Sequence, residues 1–258
     1  MEIQTITDRS ALEEYFRQDL PLHLYSLGDL DDFYWPRVTV YGTGDGKGLK
    51  NITPLYRGEE PPVLLAFGQL DQEYISALQP LLPEAFYAHL GPGLAVQFHN
   101  GYQIKNYGGH YKMVLADSRM VDELNTDNTF PLTGTDLPEI IQLYEESYPD
   151  TAFNTRMLQT GQYFGIRLGG QLISIAGIHV YSARYRAAAL GNITTLPQHR
   201  GRGYGRAVTA RLCQQLRENV DIIGLNVKCG NKPALALYHS LGFRICAEYG
   251  EFSLQKRA

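Results

Sequence analysis

The sequence predicts an α/β fold, and three observations carry that prediction. The second half runs strand, helix, strand, helix; apolar residues recur at strand or helix spacing; and a glycine-rich turn joins one strand to one helix. The 258 residues are 44% hydrophobic and 19% charged, a globular balance, and the chain is long enough to bury a core without disulfides or a structural metal. At roughly 150 residues per domain, one large or two small domains are expected.

The elements follow in order. Asp8 caps a helix expected to reach about Leu20, with Leu12 and Phe16 four apart. Arg37–Tyr41 alternates as a strand. Gly42–Gly48 is glycine-rich but fails the phosphate-loop template, because Tyr41 and Gly48 stand where Gly and Ser or Thr are required; a hairpin connection is expected instead. Pro62–Phe67 reads as a buried strand, Pro83–Leu90 as a helix, and Leu94–Phe98 and Tyr111–Leu115 as strands. The polar, turn-rich stretch 125–134 marks the expected boundary, dividing the chain into an N-terminal domain 1–128 and a C-terminal domain 129–258. Beyond it, Thr135-Asp136-Leu137-Pro138 opens a helix. Strands Phe164–Leu168 and Leu172–Val180 are joined at Gly169-Gly170, and Arg184–Thr195 forms a third. A helix Gly203–Leu216, a strand Ile222–Val227, a helix Lys232–Leu241 and a strand pair within Phe243–Leu254 complete the reading.

Composition excludes several classes of function. A formal charge of −4 argues against nucleic acid or an anionic membrane as partner. Cys213, Cys229 and Cys246 are odd in number and lack CxxC spacing, which fits neither a disulfide framework nor a metal site and suits a reducing cytoplasm. The N-terminus lacks a signal-peptide pattern, and the longest apolar run is far too short to span a bilayer. A cytoplasmic monomer or homodimer without metal is expected.

The chemistry lies in Ile193-Thr194-Thr195-Leu196-Pro197-Gln198-His199-Arg200-Gly201-Arg202-Gly203-Tyr204-Gly205-Arg206. A strand ends at proline, a glycine-rich turn follows, and a helix opens with an apolar face. Glycines leave backbone N–H groups uncovered, and the first helical turn has donors without internal partners, so the turn suits an anion such as a pyrophosphate. Arg200, Arg202 and Arg206 add positive charge. The glycines are spaced two and two, which does not match the dinucleotide-binding fingerprint.

The run Arg200–Gly205 matches R/Q-x-x-G-x-G/A and resembles the pantetheine-pyrophosphate loop of the GNAT superfamily of N-acetyltransferases. A second segment, Asn231-Lys232-Pro233-Ala234-Leu235-Ala236-Leu237-Tyr238-His239-Ser240-Leu241-Gly242-Phe243, is similar to the family's N-x-x-A-x-x-L-Y-x-x-x-G-F at every marked position. The resemblance spans about Asp136 to Leu254. It implies a GNAT fold in the C-terminal half, with a mixed, mostly antiparallel sheet flanked by helices. By analogy with glycine-N-acyltransferase-like relatives, the motif-less N-terminal half is expected to be a second, degenerate GNAT-like α/β domain, with an unrelated α/β cap as the alternative. The implied reaction moves an acetyl group from acetyl-CoA to a primary amine of a small molecule or peptide, by direct attack in a ternary complex. Carried over by residue, Ile193, Thr194 and Thr195 would face the pantetheine arm, an N–H there polarising the thioester carbonyl. Residues Gly201, Arg202, Gly203, Tyr204, Gly205 and Arg206, with Arg200, would hold the pyrophosphate. Asn231 would contact the cofactor arm, and Tyr238 would protonate the departing thiolate.

One position departs from the pattern. Several relatives carry Glu five residues before the Asn, as a base for the amine; here Asn226 stands there and cannot accept a proton. Glu145, Glu146, His179 and Tyr181 are the alternative bases, and His199 reads as a loop residue. The rival reading is a catalytically weak or inactive acyl-CoA-binding module.

Overall fold

The computed structural model describes residues 2–45 and 48–257. The chain divides into two compact units, Met1–Lys112 with Cys246–Ala258, and Met113–Ile245. The expected division at 128/129 differs at both ends: residues 113–128 join the second unit, and the last thirteen residues join the first. Local composition marks turns, but only strand pairing decides which unit a segment completes.

In the first unit, a short strand β1 (Gln4–Thr5) precedes helices α1 (Arg9–Arg17) and α2 (Leu20–Gly28). Asp8 caps α1 by accepting from Ser10 and Ala11 N–H, and Asp19 restarts the chain as α2 by accepting from Leu22 N–H, so the helix expected to reach Leu20 is two helices. Strands β2 (Val38–Asp45) and β3 (Gly48–Tyr56) pair antiparallel down to Asp45↔Gly48. Within the glycine-rich hairpin, Gly46 and Lys47 lie outside the described residues. Strand β4 (Val63–Ala66), helix α3 (Gln72–Leu78) and strand β5 (Ala85–Leu90) follow, with β5 parallel to β4. The helix expected over Pro83–Leu90 is thus a strand: Phe86, Ala88 and Leu90 alternate inward, a period of two that the sequence reading missed. The strand expected over Leu94–Phe98 is a 3-10 turn (Ala95–Phe98). Strand β6 (Tyr102–Leu115) is longer than its predicted core.

The second unit begins with a one-turn helix α4 (Arg119–Asp122) and a short strand β7 (Phe130–Pro131). Thr133 and Asp136 form a capping box ahead of helix α5 (Leu137–Ser147). Strands β8 (Phe164–Leu168), β9 (Gln171–Ser182) and β10 (Ala187–Thr195) run antiparallel, the first two joined at Gly169-Gly170 as expected. Helix α6 (Tyr204–Leu216) buries Val208, Leu212 and Leu216 and returns the chain to strand β11 (Ile222–Lys228), parallel to β10. Helix α7 (Lys232–Ser240) leads into β12 (Phe243–Lys256), one fourteen-residue strand where a strand pair was expected. Its residues 250–255 pair antiparallel with β5 in the first unit. The α/β class and the mixed, mostly antiparallel sheet agree with the sequence prediction. The order of two helical segments, three antiparallel strands, a helix and a parallel strand occurs in both units. Among the described residues no helix is long and apolar enough to cross a membrane, and no cluster of side chains is arranged to hold a metal ion.

Candidate active site

The site is built on the point where β10 leaves β11. The parallel ladder runs from Ala187↔Ile222 to Leu190↔Leu225, whereas β10 continues to Thr195 and β11 to Lys228. A register shift against β9 between Gly191 and Thr194 marks a bulge in β10, and Asn192 within it takes φ +56°. Ile193, Thr194 and Thr195 therefore lie beyond the last rung shared with β11. Thr194 and Thr195 are tied on the β9 and α5 side: Thr194 Oγ1 donates to Ser147 Oγ (3.1 Å), and Thr195 Oγ1 lies 2.8 Å from Ser174 Oγ.

Past β10, Arg200 Nε donates to Thr195 O (3.0 Å) and its Nη2 to Ser147 O (3.2 Å), so this arginine fixes the loop to its strand. Gly201 (φ +74°) and Gly203 (φ +84°) then turn the chain into α6; the αL geometry suits glycine, and open space surrounds the Cβ positions of both. The first helical bond of α6 is Ala207 N–H to Gly203 O (3.0 Å). The backbone N–H groups of residues 201–206 accordingly have no acceptor among the described residues, a row of donors at the positive end of a helix dipole. Arg202 is exposed, and Arg206 has its Nε buried without a partner.

Asn231, the residue expected to contact a cofactor arm, caps α7, its Oδ1 accepting from Ala234 N–H (3.2 Å). Tyr238 is buried on α7, its ring 5.9 Å from that of Phe243, and burial raises its pKa, followed by repulsion from Tyr148 and Cys213. Its hydroxyl makes no hydrogen bond among the described residues and is a phenol at neutral pH. Of the alternative bases, Glu145 and Glu146 are exposed on α5, and Glu146 accepts from Gln142 (2.9 Å). His179 sits at the bulge where β9 shifts register against Ala189 and Leu190; its ring lies on Gly191, where any Cβ would collide with it. Burial lowers its pKa to about 4, which keeps the imidazole neutral and makes it a weak base. His199 is a partly buried loop residue, 6.3 Å ring to ring from Tyr204. All three cysteines are free thiols, and Cys213 is buried.

Sequence reasoning missed the clamp on the β10 bulge. Asn192 Nδ2 donates to Tyr163 Oη (2.8 Å), Thr151 Oγ1 donates to Asn192 Oδ1 (2.9 Å), and Tyr144 Oη donates to Asn192 O (2.8 Å). Tyr163 Oη in turn donates to Ile178 O (3.0 Å). These buried bonds satisfy the polar groups that the bulge removes from the ladder. The signal was present as Gly191-Asn192 inside a strand pattern, since glycine there marks a bulge and asparagine tolerates φ > 0.

The residues fit a pyrophosphate-bearing ligand with an extended amide arm: unbonded N–H groups, an orphaned Arg206 Nε and an open strand edge are what such a ligand would satisfy. Comparisons with known proteins bear on the family and the fold. The family model described as acetyltransferase (GNAT) family matches residues 122–243. The N-alpha-acetyltransferase RimI of Mycobacterium tuberculosis is 33% identical over 105 residues, covering 39% of this chain and 63% of that protein; the chain thus spans less than two thirds of the relative it matches. A GNAT-family structure from Novosphingobium aromaticivorans, described as an acetyltransferase, aligns at TM-score 0.65 and 19% identity over 92% of this chain and 99% of its own. A Drosophila protein of known structure aligns at TM-score 0.73 and 15% identity over 98% of each chain. These structural likenesses speak to the fold.

Proposed function

Residues 122–243 match the acetyltransferase (GNAT) family model, and from that premise we propose that the protein is an N-acetyltransferase carrying an acetyl group from acetyl-CoA to a primary amine of a small molecule or peptide. The observation that carries the reading is the early end of the β10–β11 ladder beside the row of free N–H groups at residues 201–206. The N–H groups of 201–206 and the Arg206 guanidinium would hold the pyrophosphate. The unpaired edge at Ile193–Thr195 would bind the pantetheine amides in place of a strand, and an N–H there would polarise the acyl carbonyl. Acetyl-CoA supplies a thioester: the amine nitrogen bonds to the acyl carbon as the carbon–sulfur bond breaks and its electron pair stays on sulfur. Tyr238 would donate its proton to that sulfur, and the proton lost by nitrogen passes to solvent, from which the phenolate recovers its own.

The repeated element order supports reading the first unit as a second GNAT-like copy without the cofactor loop. The three free thiols suit the reducing cytoplasm. A second reading, a CoA-binding module with little turnover, is favoured by one residue, Asn226 in place of a base. Calorimetry with acetyl-CoA, ATP and NAD, paired with thiol release over a panel of amines, tests both. Binding of acetyl-CoA alone with amine-dependent thiol release is expected; binding without release selects the module, and no binding removes both readings.

A further inference from the structure

Asn226 is the first residue of β11 beyond Leu225, the last rung shared with β10. Leu225 and Val227 on either side are buried, so by strand alternation Asn226 projects from the opposite face. Its Oδ1 is shut away from solvent, yet it accepts no hydrogen bond from any described residue. Buried amide oxygens are almost always satisfied, and an orphan calls for a donor from outside the chain. Here it stands where the two strands part, beside the edge that would carry the acyl group.

Resting on the acetyl-transfer reading above, we propose that Asn226 selects the acceptor: its Oδ1 accepts an N–H of the incoming amine and, unable to take a proton, leaves only the free-base form able to attack. A carboxylate at this position would draw a proton from an alkylammonium ion; an amide oxygen accepts an N–H from either form but removes no proton, so only the amine that is already neutral can attack. The substrate class follows from amine basicity. At pH 7.5 about a third of peptide α-amino groups (pKa about 7.7–8.0) are unprotonated, against about one in a thousand lysine side chains (pKa about 10.4). The acceptor is therefore a weakly basic primary amine, of which the peptide α-amino group is the common example.

The test compares two acceptors at pH 7.5 with the full-length protein, acetyl-CoA and thiol release. One is a dipeptide amide with a free α-amine; the other is an N-acetyl-lysine amide with a free ε-amine. The wild-type protein should favour the α-amine. Asn226→Ala should raise the KM for the α-amine about three- to tenfold, the size of one neutral hydrogen bond, with acetyl-CoA affinity unchanged. Asn226→Glu should narrow the α-to-ε ratio of kcat/KM by about 10²-fold by supplying a base, and the near-isosteric Asn226→Asp gives the same reading if the larger side chain disturbs folding. Because the α-to-ε ratio of each variant is compared with that of the wild-type protein, intrinsic nucleophilicity cancels. Turnover with an unchanged ratio in the acidic variants, or an unchanged amine KM in Asn226→Ala, overturns this inference alone. Bound acetyl-CoA with no turnover of either amine by any variant overturns the acetyl-transfer reading with it.

Discussion

The parallel pairs β4–β5 and β10–β11 are made alike, each joined by a helical crossover, but they end differently. In the first unit the ladder runs the whole of β4, from Val63↔Tyr87 to Ala66↔Leu90, and continues when Gly91 N–H donates to Ala66 O (2.8 Å). The chain then enters α3 with one left-handed glycine, Gly68, and with Asp71 and Glu73 at the helix start. In the second unit the ladder stops at Leu190, the strand bulges at Asn192, and the helix opens behind two left-handed glycines with Arg202 and Arg206 nearby. One pair is zipped and faces its helix with carboxylates; the other is open and faces its helix with cations. Topology alone therefore does not supply what an anion would need. It takes backbone groups released from the ladder, donors left uncovered, and charge of the right sign at the helix dipole.

Experiments that break this contrast rank by size. Gly203→Val should weaken acetyl-CoA binding by about 10²-fold or more, the worth of one or two charge-assisted hydrogen bonds, because a branched residue cannot hold φ +84° and its side chain would enter the open space at the loop. Calorimetry reads this, with circular dichroism confirming the fold; unchanged affinity in the folded protein removes the loop from the site. Tyr238→Phe should lower kcat by about 10²-fold with acetyl-CoA affinity retained, the split that marks a proton donor. If kcat holds, the tyrosine only packs. Asn192→Gly preserves the left-handed backbone while deleting the clamp, leaving Tyr163 and Thr151 to lose a partner; a stability loss of about 1–3 kcal/mol by urea titration is expected.

The remaining tests sharpen the comparison from the other side. Both units bury a neutral histidine, His23 and His179, each lowered to about 4, burial being the main cause. Below pH 6.5 the unfolded chain binds protons that the folded one refuses, so stability is present above that pH and is lost as pH falls toward 4, by up to roughly 1.4 kcal/mol per unit for each histidine. Denaturant titrations at pH 7 and 5 should show the loss, and a flat response would mean the rings are solvated. Finally, Glu73→Lys reverses a charge at the α3 start without opening the β4–β5 ladder, and acetyl-CoA affinity should not change. Tighter binding there would show that charge alone suffices.

What the sequence disclosed was local. The α7 motif from Asn231 to Gly242, the Gly169-Gly170 hairpin and the glycine loop after β10 each encode their geometry in adjacent residues, and each occupies its expected place. The missed features depend on distant partners. Pro83–Leu90 carries a run compatible with either helix or strand, and only pairing with β4 and β12 decides for strand. Asn192 reads as an ordinary polar residue until Tyr144, Thr151 and Tyr163 converge on it. The family resemblance marks Asn226 as standing where several relatives carry a base, but its orphaned oxygen is visible only in three dimensions.

The course of β12 bears on how the protein is made. A ribosome releases every residue of the unit 113–245 before it releases residues 250–255, the neighbours that β5 lacks until then. All of the later segment is thus available to its folding unit first, and the earlier segment waits with one strand edge uncovered.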